Sequence, residues 1–123
     1  LDKQLAQNTF ELVAMEWIER QKTKWSPGYA DTTYRRLKRN LFPFIGSKPV
    51  NAITAPELLA LLRKVEARGI IGTAHALKNH CSCIMRYAIA TGRAERDPAA
   101  DLRGALMPHV KKHRPALPTP ENG

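Results

Sequence analysis

The sequence predicts an all-α protein: a compact bundle of four main helices followed by a short C-terminal helix. Three observations predict it. Apolar residues recur at spacings of three and four in four separate stretches, capping residues mark where those stretches begin, and the short connections between them lack the two-residue alternation of strands. The 123 residues, 43% hydrophobic and 25% charged, suit one domain whose core hides roughly two-thirds of the unfolded surface.

The first helix opens at Thr9, whose hydroxyl can accept from an uncovered backbone N–H. It turns Phe10, Val13, Ala14, Trp17 and Ile18 inward and ends before the polar stretch KTKWS at 22–26. Ser26 and Pro27 open the second, a capping hydroxyl followed by a proline at the one helical position where its missing N–H is no loss. This helix runs to about Leu41 and buries Ala30, Thr33, Tyr34, Leu37 and Leu41. FPFIGSKPVNAI, at 42–53, carries two prolines and a glycine and predicts a compact turn with at most a short extended pair.

TAPE, at 54–57, is a capping box: the Thr54 hydroxyl and the Glu57 carboxylate can each satisfy an orphan backbone donor. The third helix follows with Leu58, Leu61, Leu62 and Val65 inward, and Gly69 supplies a left-handed stop. The fourth runs from near Thr73 to Gly92 with Leu77, Cys81, Ile84 and Ala88 buried. ERDPAADLRGAL, at 95–106, predicts a short proline-punctuated helix. From Met107 onward stand four of the nine prolines and no helical period. The expected organisation is a flexible segment at 1–8, a helical domain at 9–106 and a basic, proline-rich linker at 107–123.

Charge carries the functional signal. Twenty Lys and Arg against eleven Asp and Glu give +9, which favours an anionic partner. At 100° per residue the second helix places Thr32, Arg35, Arg36 and Arg39 opposite its apolar side. The outer stripe of the fourth is His75, Lys78, Asn79, Ser82 and Arg86, a mixture of phosphate-seeking cations with an amide and a hydroxyl able to bond base edges. No Asp or Glu occurs at 32–56, 67–94 or 102–120, windows holding 5, 4 and 4 Lys or Arg, whereas the first helix carries Glu11, Glu16 and Glu19. A merely solvated face intersperses both signs. The segregation points to a polyanion, and to duplex DNA over single strands because Phe10, Trp17 and Tyr34 are placed in the core, leaving few aromatics to stack on bases.

Other chemistries find less support. Cys81 and Cys83, two apart on a helix, point away from each other and cannot bridge. Only His80 and Cys83 share a ligand-like helical spacing, short of the four ligands a structural zinc site takes. His80 and Cys81 read as core-facing, Cys83 as a flank residue and Tyr87 as a packing residue without the partners a nucleophile needs. No phosphate loop, nucleophile elbow or carboxylate pair is present, so neither metal, cofactor nor enzymatic activity is expected of this chain. No apolar run nears the ~20 residues that cross a bilayer, which reads as a cytoplasmic protein without membrane contact. A small helical module docking an acidic protein is the alternative reading of the basic faces; a free-standing transcription factor is a third, which the proline-rich tail argues against.

The ordered series LFPFIG, ITAPEL, YAIATG and DPAADLRG, continuing into KKHRPAL, resembles the core-binding domain of tyrosine recombinases of the phage and prophage integrase type, over about Thr9 to Leu117. The resemblance implies a SAM-like helical domain that grips one face of a recombination core site while a catalytic domain clamps the other, and that works with further recombinase protomers on DNA in the bacterial nucleoid. It implies DNA contacts from Thr32, Arg35, Arg36, Arg39, Lys48, His75, Lys78, Asn79, Ser82 and Arg86, with Lys111, Lys112 and Arg114 on an interdomain linker that runs along the DNA. The family's His-x-x-Arg element does not occur, so DNA binding is expected here and strand cleavage elsewhere in a parent protein. The free domain is expected to be a monomer.

Overall fold

The computed structural model describes residues 8–102 and 104–108. The chain forms α1 (Phe10–Gln21), α2 (Pro27–Asn40), a single turn α3 (Phe42–Ile45), α4 (Ala55–Ala67) and α5 (Ile71–Ala90), with 3-10 turns at Val50–Ala52 and Pro98–Leu102. Among the described residues there is no strand, only an isolated bridge between Thr9 and Pro49. The fold is all-α, built on four long helices.

The expected caps form. Thr9 Oγ1 accepts from Leu12 N at 3.4 Å and Ser26 Oγ from Tyr29 N at 3.2 Å, and Thr54 and Glu57 exchange both bonds of the capping box. Two further orphan donors at the start of α1 are satisfied from a distance: Phe10 N donates to Lys48 O at 2.8 Å and Glu11 N to Gly46 O at 2.9 Å. Val50 N donates back to Asn8 O at 2.8 Å. These bonds stitch the 46–50 connection to the head of α1.

Three expectations change here. Phe42–Ile45 winds into a helical turn instead of a plain loop, because Pro43 lies in the first turn where no N–H is required, and the turn sends Phe42 and Ile45 into the core. The extended pair shrinks to the Thr9–Pro49 bridge. Asn8, expected at the end of a flexible segment, is tied to Val50. Gly46 is required by close approach: a Cβ there would stand 2.5 Å from Phe42 O and 3.0 Å from Phe42 Cα.

Gly69, at φ 85°, closes α4 and reverses the chain so sharply that α5 begins at Ile71, ahead of the expected start near Thr73. α5 is the central rod, packing on α1, α4 and the 98–102 turn, while α2 lies on α1 and α3. Every residue assigned inward on α1, α4 and α5 is buried, each large aliphatic one contributing about 1.5–3 kcal/mol by leaving water. On α2, Tyr34 is only half-buried, edge-on to Phe42, and polar Asn40 is buried in addition.

Candidate nucleic-acid interface

Pro27 and Ser26 start α2 in a register that leaves its apolar residues on α1 and turns Thr32, Arg35, Arg36 and Arg39 outward together. These four line a cleft of about 590 Å³. Across it stand Arg68 at the end of α4, Ile70 in the α4–α5 reversal and Thr73 of α5. Arg35 pairs with Asp31 at 3.0 Å, but both side chains are more than half exposed and the pair holds weakly. Among the described residues no carboxylate lies within ion-pair distance of Arg36, Arg39 or Arg68.

α5 borders a second groove of about 600 Å³ with Lys78, Asn79, Ser82 and Arg86; Asp97 and Ala99 form its far wall. Asn79 and Arg86 are exposed, Lys78 and Ser82 half-buried. Ser82 Oγ donates to Asp97 Oδ2 at 2.5 Å and accepts from Arg86 Nη2 at 3.4 Å. Asp97 Oδ1 also accepts from Ala99 N, which pins the 98–102 turn against α5.

The α2 row and the α5 stripe line separate grooves with no residue in common. Tyr29, Trp25 and Trp17 surround His80, with ring centroids 6.5, 6.5 and 5.9 Å away, fastening the first turn of α2 to α5. His80 is 8% exposed, and its Nε2 has no hydrogen-bond partner among the described residues. Burial, and then the Arg36 guanidinium nearby, hold it below the usual histidine range.

Other expected contacts stand apart. Lys48 is ion-paired with Glu57, the capping-box acid, and lines neither groove. His75 Nε2 bonds Met107 O at 2.6 Å, away from both. Met107 N, at the start of the expected linker, also donates to Glu66 of α4. Lys111, Lys112 and Arg114 lie outside the described residues. Sequence reasoning missed Arg68 and Asn40. Asn40 Oδ1 accepts from Arg68 Nη2 at 2.7 Å while its Nδ2 donates to Arg36 O at 2.9 Å. The available signal was a polar residue between the apolar Leu37 and Leu41 on the buried side of α2.

Two acids of α1, Glu16 and Glu19, are occupied, Glu19 by Lys22 at 3.2 Å. Glu16 takes both Arg93 Nη atoms at 3.0 and 2.9 Å and the Tyr87 hydroxyl at 3.0 Å, and these donors, Arg93 first, hold its carboxyl below the usual range. Tyr87 thus acts in packing, half-buried against the core. Cys81 is buried, which pushes its thiol pKa up, and Cys83 is exposed. Among the described residues no three metal-ligating side chains gather, and no helix is long and apolar enough to cross a membrane.

The family profile of the phage integrase central domain matches residues 10–105 of this chain. The chain belongs to that family. This integrase central domain is 37% identical over 111 residues to the prophage integrase IntS of Escherichia coli K12 and 36% identical over 111 residues to the integrase of Shigella phage Sf6. Each match takes in 90% of the chain and only 29% of the relative's length. An NMR structure of a fragment of the putative phage integrase IntS of E. coli matches with TM-score 0.72 and 32% identity, over 88% of this chain and 98% of that fragment. The integrase central domain thus shares its all-α fold with an integrase fragment.

Proposed function

We propose that this domain is the double-stranded DNA-binding module of a site-specific tyrosine recombinase, gripping the core recombination site during integration and excision. The observation that carries the reading is the α2 row, whose Arg36 and Arg39 have no acidic partner among the described residues; the α5 stripe, with exposed Asn79 and Arg86, borders a groove of its own. Arginines of the α2 row would neutralise phosphates and release counterions, supplying most of the affinity. Asn79 can pair with both the acceptor and the donor of an adenine major-groove edge, and Arg86 with the two acceptors of guanine. Lys111, Lys112 and Arg114 would follow the duplex toward a catalytic domain in the parent protein, where strand breaking and rejoining take place. Further protomers of the recombinase complete the assembly, in the bacterial cytoplasm on the nucleoid. Lys48, ion-paired with Glu57, and His75, bonded to Met107 O, stand at the periphery of the interface.

Amide chemical-shift mapping during titration with short duplex DNA tests this. Shifts concentrated on 32–39 and 75–86 are expected. Shifts confined to α1 and α4, or none, would point instead to a module that docks an acidic protein.

A further inference from the structure

We infer that Arg68 is a further phosphate-contacting residue of this domain, held ready by Asn40, so that the interface extends past α2 to the α4–α5 reversal; the inference rests on the DNA-binding reading. Asn40 is a polar side chain 7% exposed, at the end of α2 where the chain turns into α3. Both halves of its amide are engaged: Nδ2 on Arg36 O at 2.9 Å and Oδ1 on Arg68 Nη2 at 2.7 Å. Burying an amide is unfavourable unless its bonds are made, and here one of those bonds fixes a cation contributed by another helix. A guanidinium carries five donors in a fixed plane, and among the described residues only one is committed, to Asn40. The remaining donors belong to an exposed residue that lines the same cleft as Arg35, Arg36 and Arg39.

The chemistry of the cleft selects its ligand. Four arginines and, among the described residues, no carboxylate line it, so it favours an anion with several oxygens. The row rises along α2 and ends on a different element, which fits consecutive phosphates of a backbone better than one isolated ion. Ile70, 39% exposed beside Arg68, offers the deoxyribose edge an apolar surface. A long flexible side chain ordinarily loses rotamer entropy when it captures a phosphate; Asn40 removes part of that loss in advance. Asn40 is in this sense a positioning residue, and Arg68 the contact.

The test is the salt dependence of duplex binding by fluorescence anisotropy for the wild type, Arg68→Ala, Arg68→Lys, Asn40→Ala and Arg35→Ala/Arg36→Ala, each checked for native circular dichroism and melting. Arg68→Ala should weaken binding several-fold and flatten the log–log salt slope by about 0.9, the share of one phosphate. Arg68→Lys, which keeps the charge and loses the fork, should keep the slope and still bind more weakly. Asn40→Ala should weaken binding in a background with Arg68 and leave an Arg68→Ala background unchanged. Should Arg35→Ala/Arg36→Ala flatten the slope while Arg68→Ala does not, the Arg68 assignment is overturned and the DNA-binding reading stands. If the wild type shows no salt-dependent duplex binding, both fall together. If Asn40→Ala proves unfolded, the comparison of Arg68→Ala with Arg68→Lys decides alone.

Discussion

Ser82 of α5 donates its hydroxyl to Asp97 Oδ2 at 2.5 Å, and the same hydroxyl accepts from Arg86. A hydroxyl so engaged is a poor candidate for reading a base edge. Its neighbour Asn79 has an exposed amide with no such tie among the described bonds.

Selectivity should therefore divide unequally between the two. In enrichment from a randomised duplex pool, Asn79→Ala should relax the preference at one base pair by about 1–3 kcal/mol. Ser82→Ala should leave the selected sequence nearly intact and instead lower stability by about 1–2 kcal/mol, since it leaves Asp97 one donor short. The reverse outcome would make Ser82 the reader.

His80 predicts how stability depends on pH. Its folded-state pKa lies below the ordinary value near 6.5, so the unfolded chain binds its proton first as pH falls. The linked stability is complete above about 6.5 and declines as pH drops below it, until the folded-state value is passed. Glu16, also depressed, adds a second decline below its ordinary value of 4.5. Thermal melts of the wild type should lose midpoint between about pH 7.5 and 5. His80→Phe, which keeps a ring among Trp17, Trp25 and Tyr29 and removes the titrating nitrogens, should lose distinctly less over that interval. Equal losses would show that His80 does not set this slope.

Gly46 should tolerate no side chain. The Cβ of Gly46→Ala would meet Phe42 backbone atoms, and relieving the clash pulls on the Gly46 O that receives Glu11 N. Overpacking of this kind costs typically 1–3 kcal/mol, here read by urea titration. Gly28, whose Cβ would meet nothing within 4 Å, is the control, and its alanine variant should be neutral or slightly stabilising.

What the sequence revealed and what it concealed follow from range. Caps at Thr9, Ser26 and Thr54, the stop at Gly69 and the buried stripes of α1, α4 and α5 depend on neighbours a few residues away, and all are legible. The outward rows on α2 and α5 follow from helical period and are legible too. The Phe42–Ile45 turn was not, because prolines and a glycine mark a loop unless one knows that α1 donates to the carbonyls of Gly46 and Lys48 just beyond it. The Lys48–Glu57 pair, the Ser82–Asp97 bond and the Asn40–Arg68 contact join residues 9, 15 and 28 positions apart, across connections whose course no local pattern gives. Two of them remove expected residues from the open surface, and the third adds one.

Contact between the arginine row of α2 and DNA phosphates is directly measurable. The most direct measurement is the slope of log K against log salt for a fluorescent duplex, between about 50 and 200 mM, for the wild type and for Arg36→Ala/Arg39→Ala. The account predicts a steep negative slope for the wild type, flattened by about 1.8 in the variant, with an unchanged melting curve. A slope identical in both proteins would contradict it.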